Sequence, residues 1–177
     1  SKFKNVDEFQ QERYGLGIEL RRRIQWFVAR KAERVIVPSE YLKRIVAMWG
    51  VPNEKIAVVY SSFRPPKITE TKAEARAALG LTGHIIVSAG RLVPWKGFSA
   101  LVEIVPALLR DVPDARLVII GDGPERETLR MQIVDCRMQH AVTLTGLLPQ
   151  EGLHRYIRAA DVFVLNSGYE GLSHQLL

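Results

Sequence analysis

Two apolar patterns alternate along the chain, one with helical spacing and one continuous. Leu16, Leu20, Ile24, Phe27 and Val28 recur at helical spacing and predict a helix over 16–34 with one apolar face. Arg21, Arg22, Arg23, Arg30, Lys31 and Arg34 load the rest of it. "VIVPS" at 35–39 reads as a short strand, and Ser39 stands where it can cap the next helix. In that helix Leu42, Ile45, Val46 and Trp49 keep the spacing, and Gly50 is placed to end it. "KIAVVY" at 55–60 is a second strand. "SSFRPPKIT" has two prolines and no periodicity, so it reads as a linker and a domain boundary.

Beyond the linker the alternation becomes regular. Thr71 and Glu74 have capping-box spacing, and Gly80 closes a short helix. Strands are predicted at 85–89, 116–120, 142–145 and 162–165. Between them, Phe98, Leu101, Val102, Val105, Leu108 and Leu109 form a helical stripe. Pro106 interrupts that stripe and is expected to kink it. Pro124 is expected at the first position of the helix after "GDG". Leu153, Tyr156, Ile157 and Ala160 mark the last helix.

Most of the strands are continuous apolar runs, as in a parallel sheet buried on both faces. The fold class is therefore α/β, with Rossmann-like parallel sheets joined by right-handed crossovers. In such sheets ligands bind outside the carboxyl ends of the strands. That rule selects four segments: "AGRLVPWKG", "GDGPE", "GLLPQ" and "NSGYEG".

Composition narrows the picture further. The 177 residues are 47% hydrophobic, enough for a substantial core. No apolar run reaches the roughly 18 residues of a membrane span, and the polar start does not read as a signal peptide. One cysteine, Cys136, excludes an internal disulfide and fits a reducing compartment. His84, His140, His154 and His174 show no metal-ligand spacing, so no metal is expected. The net charge of +6 and pI of about 9.7 favour anionic partners.

In "AGRLVPWKG", Gly90 lets the chain leave its strand tightly and Gly97 opens a helix with free backbone N–H groups. Arg91 supplies a planar fork and Lys96 a point charge, which together suit a diphosphate. On spacing alone, two solvated cations beside a turn are the simpler account. "GDGPER" opens like a dinucleotide fingerprint, but Arg126 stands where the third glycine belongs, so a nicotinamide site is not expected. A tight turn and a ligand-lining loop account for it equally well. Glu170, between Gly168 and Gly171, reads most simply as a first-turn carboxylate complementing a helix dipole. The basic helix reads most simply as a solvated face, with anionic lipid or a phosphorylated acceptor as the functional alternative. Nucleic acid is not expected, because Trp26 and Phe27 belong with the apolar stripe and Trp95 is isolated.

Taken in order, "AERVIVPSEYLKRIV", "VPNEKIAVVYSSF", "SAGRLVPWKG", "ARLVIIGDGPERETL" and "VTLTGLLPQEGLHRYIRAADVFVLNSGYEG" resemble the family 4 retaining glycosyltransferases (glycosyltransferase group 1), of GT-B architecture. The resemblance runs from about Ala32 to Leu177. It implies a nucleoside-diphosphate sugar as donor, no cofactor, and a sugar, lipid-linked or glycan acceptor. It matches Arg91 and Lys96 to the pair that holds the donor diphosphate, with Gly90 and Gly121 on the same donor-binding loops. Leu147 matches the loop that meets the base through backbone. Glu170 matches the first glutamate of the family's E-x7-E motif, at the donor sugar, followed by Gly171 and by Leu172 and Ser173 as backbone N–H donors. Glu170, Arg91 and Lys96 are thereby the expected catalytic residues.

"YEGLS" and "YSSF" depart from the family's usual sequences at those places, and the usual glycine-rich N-terminal loop is not found. The second glutamate of the motif falls one position past Leu177. The resemblance thus makes residues 1–62 the end of an acceptor domain and residues 63–177 the first part of a nucleotide-sugar-binding domain. Such a segment is expected to be inactive alone, and its protein cytoplasmic, with peripheral membrane contact through 16–34. The alternatives are a non-catalytic basic module binding polyanions and another GT-B enzyme such as a phosphorylase or epimerase.

Overall fold

The computed structural model describes residues 15–60 and 69–168. These form two compact units, 15–60 and 69–168. The expected boundary at 62/63 lies outside the described residues.

The first unit consists of α1 (Leu16–Lys31), β1 (Val35–Val37), α2 (Glu40–Met48), a 3-10 turn at Asn53–Lys55 and β2 (Ile56–Val58). The two strands pair in parallel, Val35 opposite Ile56. Ser39 caps α2 as expected, its Oγ accepting from the Leu42 N–H at 3.2 Å. Gly50, at φ +83°, follows the helix end. Val37, Val46, Val51 and Ile56 are the core, with Ala29, Leu42 and Trp49 packed against them.

Two expectations for α1 are corrected. The helix stops at Lys31, because Ala32 turns to extended backbone and Glu33 and Arg34 lead straight into β1. The apolar stripe is also not the packed face. Leu16 is 91% exposed, and Leu20, Ile24, Phe27 and Val28 are all more than half exposed. The helix packs through Ala29 instead, while Arg22 is only 7% exposed. Arg22 tolerates burial because Nη1 bonds Glu19 Oε1 at 3.0 Å and the guanidinium lies 5.2 Å from the Trp26 ring centre. Trp26 therefore serves Arg22 rather than sharing the stripe with Phe27.

The second unit runs α3 (Lys72–Leu79), β3 (His84–Ala89), α4 (Phe98–Asp111), β4 (Ala115–Ile120), α5 (Arg126–Asp135), β5 (Val142–Gly146), α6 (Gln150–Ala159) and β6 (Val162–Phe163). Its strands form one sheet in the order β5-β4-β3-β6, every pair parallel. One face is covered by Phe98, Leu101, Val102 and Val105 of α4 and Leu129 and Ile133 of α5, over Leu117 and Ile119. The other face, with Ile85, Val87, Val118 and Ile120, is covered by Leu153, Tyr156 and Ile157 of α6. Apolar strands with helices on both sides are what the continuous runs predicted.

Two local expectations change, at Pro124 and in the last strand. The α4 helix is continuous through Pro106, despite the ladder bond that proline removes. Burial of Phe98, Val102 and Val105 against the sheet holds the helix across the gap. Pro124 lies before α5 rather than at its first position. The Arg126 N–H closes a turn onto Gly123 O at 3.1 Å and Glu125 N–H is taken by Leu92 O at 3.1 Å, which delays the helix. The last strand pairs only over Val162–Phe163, shorter than 162–165.

The α3 helix is fixed by polar groups. Its Thr71–Glu74 capping box is present, and the exchanged hydrogen bonds hold the Glu74 carboxyl below its ordinary pKa. Asp161, just before β6, accepts from Lys72 Nζ at 2.6 Å, Arg76 Nη2 at 2.5 Å and the Ile85 N–H at 2.7 Å. Arg155 of α6 bonds Glu70 at 3.0 Å, completing the tie.

Candidate functional site

The sheet order locates a ligand edge in the second unit. From β3 the chain steps outward through β4 to β5, then returns to place β6 on the other side of β3. The order reverses between β3 and β6, and a crevice opens at the carboxyl ends of strands at such a reversal. The segments leaving β3 and β6 are 90–97 and 164–168, so "GRLVPWKG" stands at the switch point.

Backbone bonds stitch the four carboxyl-end segments together. Gly90 N–H donates to Ile120 O at 2.9 Å and Leu92 N–H to Asp122 O at 2.9 Å, joining the β3 and β4 segments. Gly121 N–H donates to Gly146 O at 2.9 Å, joining β4 to β5. On the other side, Gly168 N–H donates to Trp95 O at 2.8 Å and Asn166 Nδ2 to Gly97 O at 3.1 Å. This staple sets the 94–97 turn against the segment that leads to Glu170.

Two glycines are required by this closeness. A Cβ on Gly121 would stand 1.9 Å from Gly90 O, so the two strands could not leave the sheet side by side. Gly97 is in the left-handed region at φ +69°, and a Cβ there would meet Asn166 O at 2.4 Å.

Arg91 is exposed, and its guanidinium has no hydrogen bond or ion pair among the described residues. Lys96 is half-buried, and its methylene stem packs over Gly90, about the distance of an ordinary contact from where a Cβ would be. Gly97 then caps α4 without a side-chain acceptor, so the N–H groups that open this 14-residue helix face the same edge as both cations. Leu147, 77% exposed, follows Gly146 at the end of β5.

The structure thus brings Gly90, Arg91, Lys96, Gly121 and Leu147 to one edge. Glu170, Gly171, Leu172 and Ser173 lie outside the described residues. Sequence reasoning passed over Asn166, whose only signal was its position at the end of the last apolar run. Trp95 is partly exposed, and its backbone carbonyl receives the Gly168 N–H.

Shifted carboxylates point elsewhere. Hydrogen bonds from Lys72, the Ile85 N–H and Arg76 hold Asp161 far below its ordinary pKa, and a hydrogen bond to the His84 ring at 2.7 Å lowers that of Asp114. Both stand just before strands, at the sheet's amino ends, so these are structural pairs. Among the described residues no cluster of three His, Cys, Asp or Glu is placed to hold a metal ion. No helix among them is long and apolar enough to cross a membrane.

The family model described as Glycosyl transferases group 1 matches residues 70–177, more than half of the chain. The chain belongs to the group 1 glycosyltransferases. It is 39% identical over 103 residues to the GDP-mannose-dependent alpha-(1-6)-phosphatidylinositol monomannoside mannosyltransferase of Mycobacterium tuberculosis, covering 58% of this chain and 26% of that protein. It is 28% identical over 143 residues to the alpha-monoglucosyldiacylglycerol synthase of Streptococcus pneumoniae, covering 77% of this chain and 32% of that protein. The chain therefore spans about a quarter to a third of the length of these curated relatives.

Among solved structures, the sucrose-phosphate synthase of Thermosynechococcus elongatus superposes with a TM-score of 0.74 at 25% identity, over 89% of this chain and 40% of that one. Anabaena Alr3699/HepE in complex with UDP-glucose superposes with a TM-score of 0.70 at 22% identity, over 84% and 42%. The Rossmann-like parallel units of this group 1 glycosyltransferase chain are those from which GT-B enzymes are built.

Proposed function

We propose that the chain serves an enzyme that moves a sugar from a nucleoside-diphosphate sugar to a sugar, lipid-linked or glycan acceptor, with retention of configuration. In this reading residues 63–177 carry the donor and residues 1–62 belong to the acceptor-side domain. The observation that carries it is the cationic turn at the switch point, with Arg91, Lys96 and the uncapped start of α4 on one edge. Two relatives support the donor class, one named as GDP-mannose-dependent and one solved with UDP-glucose.

The chemistry follows from charge. Breaking the bond between sugar and diphosphate leaves positive charge at the sugar carbon and added negative charge on the leaving group. Arg91, with its planar fork, and Lys96, with its point charge, hold the diphosphate and offset that growing charge, together with the α4 N–H groups. Gly90 and Gly121 let backbone come close to the donor, and Leu147 meets the base through its backbone. Glu170 orients sugar hydroxyls and offsets positive charge at the sugar, with Gly171, Leu172 and Ser173 beside it. No cofactor enters this scheme.

The exposed stripe of α1, flanked by Arg21, Arg23, Arg30 and Lys31, supports a peripheral contact with anionic lipid at the cytoplasmic face. The two relatives named for lipid products or acceptors fit that placement.

The test is donor turnover by the full-length protein with UDP-glucose and GDP-mannose, read as released nucleoside diphosphate and, by NMR, the anomeric configuration of the product. Retained configuration is expected. Absence of turnover, with polyanion binding that falls steeply as salt rises, would favour the non-catalytic basic module instead.

A further inference from the structure

The "GDGPER" turn contains a cation that the roles above leave unused. Arg126 opens α5, where a positive charge opposes the helix dipole. Glu125 and Glu127 on either side of it supply the negative charge that this helix end favours. Glu127 is engaged by Arg130 at 2.9 Å, and Glu125 makes no capping hydrogen bond. The one described partner of the Arg126 guanidinium is Asp122 Oδ2, at 3.5 Å from Nη1, the outer limit of a hydrogen bond. Asp122 Oδ1 meanwhile accepts the Gly123 N–H at 2.7 Å.

The position of the guanidinium is specific. It lies against Gly146, where a Cβ would stand 2.9 Å from Nη1 and 3.7 Å from Cζ. Gly146, at φ +77°, is required by its backbone, and its lack of a side chain leaves room for this arginine. The next residue is Leu147. Arg126 thus reaches from the β4 segment to the start of the β5 segment at the ligand edge, with its side chain 40% exposed and most of its five N–H donors uncommitted.

We propose that Arg126 contacts the base of the donor nucleotide, donating to a ring carbonyl oxygen such as uracil or guanine carries. This inference rests on the donor-site reading given above. Its chemistry is one-sided, since a guanidinium only donates and a carbonyl oxygen only accepts. Asp122, at the edge of hydrogen-bonding distance, holds the fork in place.

Calorimetry on the full-length protein tests this with UDP, GDP and inorganic pyrophosphate as probes. Arg126→Ala and Arg126→Gln are expected to weaken the tighter of the two nucleotides about tenfold or more, the effect of losing a charged hydrogen bond. Pyrophosphate, which lacks a base, is expected to bind within about twofold of the unsubstituted protein, and Arg126→Lys to recover part of the loss. Arg126→Gln retains much of the side chain's packing, and equal melting temperatures confirm that each variant folds. Unchanged nucleotide affinity overturns the inference. Equal losses for nucleotide and pyrophosphate also overturn it, because they report collapse of the loops. If the unsubstituted protein binds none of the three probes, the donor-site reading itself fails and this inference with it.

Discussion

Helices α1 and α4 carry similar apolar stripes in the sequence and meet opposite fates. In α4, Phe98, Leu101, Val102 and Val105 are buried against a four-stranded sheet. In α1, Leu16, Leu20, Ile24, Phe27 and Val28 face outward, and the helix rests on a two-stranded sheet through a different side. Helical spacing shows that an apolar face exists. Whether it is buried depends on the area the neighbouring sheet offers.

The largest effect that should separate these helices is a truncation in each. Phe98→Ala is expected to destabilise its unit by about 3–5 kcal/mol, as for a buried aromatic. Phe27→Ala should stay within about 0.5 kcal/mol, as for an exposed side chain. Urea unfolding of both variants measures this. Equal losses would mean that the α1 stripe is covered in solution.

The next contrast lies within the second unit. Gly121→Ala forces a Cβ onto Gly90 O and is expected to cost about 1–3 kcal/mol or more. Gly80→Ala meets open space and has only its left-handed backbone to strain, so about 1 kcal/mol is expected. Thermal unfolding should rank them in that order, and the reverse ranking would contradict the close approach at the ligand edge.

A smaller effect concerns acid. Asp161 is held ionised well below its ordinary pKa by Lys72, the Ile85 N–H and Arg76. A carboxylate with a depressed folded pKa stabilises above its unfolded pKa of about 3.9, and that stability is lost as pH falls below it. Asp161→Asn is expected to cost about 1 kcal/mol at neutral pH, as suits a partly exposed pair. It should also flatten the fall in stability below about pH 4. An unaltered acid profile would remove Asp161 from the account.

The second unit was largely legible because each of its strands is an apolar run and each turn has its own chemistry. Thr71 with Glu74, Gly80 and Gly97 all act where their spacing placed them. Long-range facts were not legible. Nothing local shows that Gly121 touches Gly90, that Asn166 reaches Gly97, or that Arg126 lies on Gly146. Arg22 misled because it reads as one more solvated cation, yet it is buried, bonded to Glu19 and set beside the Trp26 ring. For the site, Arg91 and Lys96 were readable as a pair, but the switch point that gives them meaning is a property of strand order.

The most direct measurement is calorimetric titration of the full-length protein and its Arg91→Ala/Lys96→Ala variant with UDP and GDP. The account predicts that the double variant loses more than about 2 kcal/mol of affinity for the nucleotide that binds, since charge-assisted bonds carry roughly that. Equal affinity in the two proteins would contradict the claim that this turn holds the donor diphosphate.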